Sequence, residues 1–406
     1  MNDYDWLSTP VGIDADRWVS RSGCRTVLVV IHTMVSCQRL LDVIDYVESD
    51  PRVQVVFTVG PDAFNGPVRP YLYSLGALVL PWRQAIRERF DLAVAAACGG
   101  LAELHAPLMV MGHGAGRGKA ARPRPDGGPL LTRNPVYGLD VQRLTRDGRV
   151  LPSALLLTHE YERDILKRQC PEALAVAVVA GDPCFDRLTA SLHWRDRYRR
   201  ALGVVPDQRL VAVSSTWGRD GLFGRAPDLL SRLMSQLPAG RHRVVAALHP
   251  AVWTAHGHRQ VRTWTRDCRD AGLILLDPAD DWRASIIAAD LVIGDHGSVT
   301  AYGAALGRPV LQLPSAASTV AVPGSAQQLV SAAAMRLDPS RPIAAQLAAA
   351  GPVDGGRVAA ALSSRPGQAA PIIRRAMYRL LDLAQPGRHR TADPVPVPVL
   401  PGGVRP

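Results

Sequence analysis

Short runs of β-branched and other apolar residues alternate with longer amphipathic stretches along most of this 406-residue chain, and that alternation leaves few folds open. Thr26–Thr33 (TVLVVIHT) has no polar face, as expected of a strand covered on both sides. The stretch that follows, Ser36–Glu48, spaces Leu40, Leu41, Ile44 and Val47 at helical intervals. Strand and helix repeated in this way imply an α/β fold, with helices covering a parallel sheet. Further strands are expected at Val53–Val59, Ala77–Leu80, Asp91–Ala97, Pro107–Met111, Ala154–Thr158 and Ala175–Ala180, with helices at Arg83–Phe90, His159–Gln169 and Trp194–Leu202. Between them, Ala120–Gly148 is rich in Pro, Gly and Arg and reads as a loop or peripheral hairpin.

The rhythm restarts after Val204–Gln208, where Pro206 interrupts the pattern. Strands are expected at Leu210–Ser214, Arg243–Leu248, Leu273–Leu276, Leu291–Gly294 and Val310–Leu313. Helices are expected at Pro227–Gln236, Trp282–Ala289, Val299–Leu306, Ser325–Met335 and Pro371–Leu383. Single cores stop growing at roughly 250–300 residues, so two are expected here. The division is a Rossmann-like domain over 1–203, a second over 204–370, a C-terminal helix at 371–384 and a disordered tail at 385–406, which holds six prolines.

Composition narrows the function classes. The formal charge of +11 comes almost entirely from arginine, since Lys119 and Lys167 are the only lysines. The arginines are scattered and no basic run is interleaved with aromatics, so no nucleic-acid partner is expected. The Arg-rich helix Trp194–Arg200 reads as a solvated face or as a contact with an anionic membrane surface. None of the six cysteines forms a CxxC pair, no His/Cys cluster has zinc spacing, and no acidic D-x-D cluster stands out, so no metal site is expected. No apolar run approaches the ~20 residues of a membrane span, and the opening residues are polar and acidic. A cytoplasmic protein is expected, with a peripheral contact at the inner face of the membrane left open.

In open parallel sheets ligands lie beyond the carboxyl ends of the strands, and the unusual residues of this chain fall there. Asp290–Leu313 (DLVIGDHGSVTAYGAALGRPVLQL) runs from a buried strand through Asp295-His296-Gly297-Ser298 into a helix. Helix-start amides, with Ser298, Val299 and Thr300, suit a diphosphate, and Gly297 allows close backbone approach. The same residues also suit an ordinary N-cap, made by Asp295 or Ser298. A second glycine-rich turn, Gly112-His113-Gly114-Ala115-Gly116-Arg117-Gly118-Lys119, lacks the GxxxxGK[ST] spacing of a P-loop. Its His113 is either exposed to substrate or bonded within its own turn. His249 ends a strand before proline, and a buried structural role competes with a ligand role. For His32 and His159 the structural reading is favoured, and Glu160 and Glu162 read as first-turn acids complementing a helix dipole. Trp217, Trp253, Trp264 and Trp282 read as packing residues; Trp217, near Ser215 and Gly218, has nucleobase stacking as its alternative.

Asp281–Leu313 resembles the C-terminal signature of the CDP-glycerol glycerophosphotransferase family, the teichoic acid polymerases of the GT-B superfold. The matching frame is Asp281, Ile286, Ala289-Asp290, Leu291-Val292-Ile293, Asp295 and Ser298, then Arg308-Pro309-Val310; His296-Gly297 stands where the family has Tyr-Ser. Gly181-Asp182-Pro183-Cys184-Phe185-Asp186, Ser214-Ser215-Thr216-Trp217-Gly218-Arg219 and Leu248-His249-Pro250 resemble three further family elements in order. Met111–Lys119 resembles its H-G-T-P-x-K turn. UDP-N-acetylglucosamine 2-epimerases share the glycine–proline turn and the His-Pro element.

The resemblance implies a GT-B-like pair of Rossmann-type domains facing a cleft, acceptor side first and nucleotide-donor side second. It implies a transferase moving a glycosyl or glycerophosphoryl group from a CDP- or UDP-type donor to an acceptor hydroxyl, lipid-linked acceptors included, without a metal or other cofactor. His113 would be the general base, flanked by Gly112 and Gly114. His249, Ser214, Ser215, Thr216, Trp217 and the turn from Asp295 to Thr300 would hold the donor and its departing nucleotide. The alternatives are a sugar-nucleotide epimerase, for which a clear H-x-E-A-G-x-R element is missing, and a non-catalytic nucleotide-binding or interaction protein.

Overall fold

The computed structural model describes residues 6–12, 15–17, 19–120, 135–314, 321–387 and 394–399. They form two compact units, one of residues 1–184 with 364–392, the other of 185–363 with 393–406. Residues 121–134 of the loop or hairpin expected over Ala120–Gly148, and the tail segments 388–393 and 400–406, lie outside the described residues.

The first unit holds a parallel sheet of β1 (Arg25–Ile31), β2 (Val53–Val59), β3 (Val79–Leu80), β4 (Leu92–Ala95) and β5 (Leu108–Val110). An antiparallel hairpin, β6 (Thr145–Arg146) with β7 (Arg149–Val150), precedes β8 (Ala154–Leu157) and β9 (Ala177–Val179), which complete the sheet. Its order, β3-β2-β1-β4-β5-β8-β9, reverses direction between β1 and β4. Val27 to Ile31 of β1 are fully buried, as a central parallel strand demands. The helix Met34–Glu48 opens with a capping box between Thr33 and Ser36. Its Cys37, Leu40, Val43 and Ile44 join one core with β1 and with Ile373 and Met377 of the C-terminal helix Ala369–Leu380.

The second unit repeats the plan with β10 (Arg209–Ser215), β11 (His242–Leu248), β12 (Ile274–Leu275), β13 (Leu291–Gly294), β14 (Val310–Gln312) and β15 (Met335–Arg336). All are parallel, in the order β12-β11-β10-β13-β14-β15, with the reversal between β10 and β13. Both sheets are therefore Rossmann-type doubly wound sheets.

Several boundaries differ from the sequence expectation, for physical reasons. The first unit ends at Cys184, inside the helix Pro183–Ala190, rather than at residue 203. The helix Arg195–Ala201 belongs with the second unit because Arg195 and Arg199 both pair with Asp290, which precedes β13. The helix expected from Arg83 to Phe90 is only Trp82–Ala85, where Gln84 exchanges two hydrogen bonds with the backbone of Leu7. The C-terminal helix, expected as a separate element after 370, is part of the first unit. The described part of the tail is docked: Val395 is buried, its N–H donates to Ser191 Oγ and its carbonyl accepts from Tyr198. All six cysteines are free thiols. Among the described residues no helix is long and apolar enough to cross a membrane.

Tyr378 anchors the C-terminal helix by donating to the carboxylate of Asp50 at 2.8 Å, and Arg52 holds the same carboxylate at 2.7 Å. The Arg52 hydrogen bond, seconded by Tyr378, keeps the Asp50 carboxyl well below its ordinary range. Because the folded pKa is depressed, this stabilisation is complete above the unfolded value of about 3.9 and fades as pH falls below it. Asp50→Asn should therefore cost about 2 kcal/mol at neutral pH, with parent and variant converging towards pH 2. Urea denaturation across that range measures it.

Candidate functional site

In the second unit the candidate residues gather at the carboxyl ends of β10, β11 and β13, around the point where strand order reverses. Asp295 organises them. Its buried carboxylate accepts from the backbone N–H of Thr216, Leu222 and Gly297 and from the Thr216 hydroxyl, at 2.8–2.9 Å. Ser215 adds a second staple, its hydroxyl donating to the Thr216 carbonyl and accepting from Phe223 N–H. These bonds fix the loop after β10 against the turn after β13. Asp295, Ser215 and Thr216 thus build the site, whereas the sequence reading had them hold the donor; Ser214 is buried in the strand itself.

The turn divides by exposure. His296, Ser298 and Val299 are partly exposed, whereas Gly297 and Thr300 are buried. A Cβ on Gly297 would lie 2.8 Å from Thr216 Cγ2, so this glycine makes room for Thr216. Thr300 faces the fold: its Oγ1 lies 2.1 Å from where a Cβ on Gly294 would stand. That placement removes the Thr300 hydroxyl from the phosphate-facing set. The helix Ser298–Ala305 has no side-chain cap at Gly297, and its first-turn amides face away from the helix body.

His249 caps the helix Pro250–His256, with Nδ1 accepting from the N–H of Ala251 at 3.1 Å. Because an amide N–H only donates, the neutral ring carries its proton on Nε2 and is a donor there. The ring centroids of His249 and Trp217 are 6.5 Å apart, and Trp217 is 45% exposed, as an aromatic surface beside the site rather than a packing residue. Trp264 is also exposed, whereas Trp253 is core and Trp282 stacks on Tyr302.

In the first unit the turn after β5 carries half-buried His113, whose Nδ1 lies 2.6 Å from the carbonyl of Ala96 at the end of β4. A carbonyl only accepts, so Nδ1 holds the proton and Nε2 is left basic. Burial pushes the imidazole pKa below its ordinary value, and Arg39, Lys119 and His32 reinforce this. The bond reaches a neighbouring strand end rather than His113's own turn. Tyr137 packs edge-on to the His113 ring at 6.5 Å, with the Arg143 guanidinium over its own face.

His32 is fully buried, donating through Nε2 to the Gly99 carbonyl at 2.7 Å, and His159 caps the helix Glu160–Gln169. Both rings bond within the fold. Gly112 and Gly114 line a small pocket with Arg39, Thr158, Gly181 and Asp182. Arg39 and Asp182 form a buried ion pair at 3.0 Å, and Arg39 also donates to the Gly114 carbonyl. Glu162 is a first-turn acid of its helix, as expected, but it is also fully buried and paired with Arg117 at 3.0 Å. No spacing rule joins Arg39 to Asp182 or Arg117 to Glu162; only the fold brings them together. Among the described residues no group of three or more His, Cys, Asp or Glu side chains is placed to hold a metal.

Solved structures with this architecture can be set beside it. The wall teichoic acid polymerase TagF aligns with a TM-score of 0.57 and 14% identity, covering 89% of this chain and 90% of that one. A TagF variant soaked with CDPG gives 0.58 at 14% identity over 88% of each chain. The S. aureus MnaA–UDP co-structure gives 0.52 at 14% identity, over 89% of this chain and 98% of that one. The fold is of the GT-B type. No protein-family model matches the sequence, and a search of curated proteins finds no match.

The Gly297–Thr216 contact yields a test of the loop architecture. Gly297→Ala should destabilise the second unit by about 1–3 kcal/mol through overpacking. Adding Thr216→Ser, which keeps the hydroxyl bonded to Asp295 and removes the clashing methyl, should recover most of that loss. Denaturant midpoints of the single and double variants decide it.

Proposed function

We propose that the chain is a GT-B-type transferase that moves a glycosyl or glycerophosphoryl group from a nucleotide diphosphate donor to an acceptor hydroxyl. The observation that carries this reading is the opposed protonation of two histidines. His113 has its proton pinned on Nδ1 and a basic Nε2, whereas His249 has its proton on Nε2. The first arrangement suits removal of a proton, the second suits donation to a departing phosphate oxygen.

In the reaction the acceptor oxygen attacks the donor's phosphorus or anomeric carbon while His113 Nε2 takes the hydroxyl proton. The bond from that centre to the nucleotide oxygen breaks, and the nucleotide leaves with the electron pair. Its new charge falls to the first-turn amides of the helix Ser298–Ala305, the Ser298 hydroxyl and His249, fixed donors that need no rearrangement. Trp217 offers the base an aromatic surface. This scheme asks for no metal, so activity is expected to survive EDTA. The GT-B fold is also that of MnaA, solved with UDP, so UDP-sugars belong in the same panel as CDP-glycerol.

A ligand that binds only the folded chain raises its melting temperature, so CDP, UDP and their polyol and sugar conjugates should separate binders from non-binders. With the binding donor and a panel of hydroxyl acceptors, including lipid-linked ones, His113→Ala should lower kcat by about 100-fold or more and leave the donor-induced shift intact. A donor that is epimerised without an acceptor, or absence of any shift across the panel, would overturn the transferase reading. The pH profile is a further check. A base works only when unprotonated and the His113 pKa is lowered, so kcat/KM should fall on the acid side at a pH below the ordinary histidine value of about 6.5.

A further inference from the structure

We propose that the buried Glu162–Arg117 pair positions His113, acting on the base through the glycine-rich turn rather than on substrate. This rests on the reading of His113 as the base. The turn after β5 is pinned at three places. At its start His113 donates to the Ala96 carbonyl, and in its middle Gly114 accepts from Arg39. At its end Arg117 meets Glu162 twice, through its backbone N–H at 2.7 Å and its guanidinium at 3.0 Å.

Glu162 is held in turn by Thr158 at the end of β8, which donates its N–H at 2.9 Å and its hydroxyl at 3.0 Å. Four donors therefore surround one carboxylate with no exposed surface. The guanidinium of Arg117 also donates to the Leu156 carbonyl, tying it to the strand. Between the two ends, Gly116 takes φ +65°, and a Cβ there would lie 3.0 Å from the Tyr161 hydroxyl and 3.3 Å from Glu162 Oε1. A run of glycines would otherwise leave His113 free to swing, because glycine restricts the backbone least. The pair removes that freedom, and a displacement of about 1 Å of a catalytic group costs on the order of 100-fold in rate.

The test compares Glu162→Gln and Arg117→Lys with the parent in the full chain. If either fails to fold, Arg117→Met/Glu162→Leu, which removes both buried charges, replaces it. The first readout is NMR titration of the histidine rings, with His113 assigned from its loss in His113→Gln. The groups facing that ring are Arg39, Lys119, His32 and, edge-on, Tyr137 with Arg143 over it, and none of them is changed in these variants. A loosened turn should move the His113 midpoint up towards about 6.5 and mix its tautomers, with His249 unchanged as the internal control. The second readout, with the active donor, should be a fall in kcat of about 10–100-fold with donor KM within about twofold. A folded variant whose His113 keeps the parent's midpoint and tautomer overturns the positioning role. Should the parent turn over no donor, the reading of His113 as base falls instead, and the titration still decides whether the pair holds the ring.

Discussion

β1 and β10 are each paired on both edges by parallel neighbours and covered on both faces, so beyond their opening arginines, Arg25 and Arg209, neither strand has a side on which a polar group can meet solvent. Whatever chemistry the chain performs is forced to the strand ends. The reversal of strand order beside each of these strands then parts the helices that follow, leaving a gap at the carboxyl edge. His113 in one unit, and the Thr216 and Asp295 turns in the other, are consequences of that constraint.

Loops at such edges are short of regular hydrogen bonds, and this chain supplies them with buried carboxylates. Asp295 gathers four donors and Glu162 another four, while Asp182 receives Arg39 and the Cys184 N–H. Burying an ion is costly unless its partners are in place beforehand. Each carboxylate therefore favours one loop geometry over its neighbours, which matters more to a site than the net stability gained. The basic helix shows the same use of charge: Arg195 and Arg199 are engaged with Asp290, while Arg197 and Arg200 form its exposed side.

The parallel sheets were legible because a strand buried on both faces leaves an apolar run that nothing else explains. β2 and β13 fall where the residues place them, and the helix expected from Ser36 by its spacing begins at Met34, where Thr33 caps it. The ends of elements were less legible. Gln84, inside a helix of only four residues, exchanges hydrogen bonds with Leu7, more than seventy residues away, and a local pattern cannot contain such a partner. In the site, the turns were visible as glycine and small polar residues at strand ends. Which of their side chains face out was not. Thr300 and Ser298 have equal claims as letters, but the helix turns one hydroxyl towards Gly294 and leaves the other partly exposed. Glu162 looked like any first-turn acid because Arg117 reaches it only through the fold.

His296-Gly297, where the resembled family carries Tyr-Ser, acquires a local explanation from Thr216. The Thr216 methyl occupies the space a side chain at 297 would need, while its hydroxyl is turned into Asp295. A serine at 297 would thus have to displace the residue that anchors the neighbouring loop. The two positions are coupled: with Thr216 placed as it is, a side chain at 297 fits only if the Thr216 methyl moves. The turn itself is left with a helix start that no side chain caps, and its partly exposed His296 is the side chain by which it differs most from the pattern it resembles.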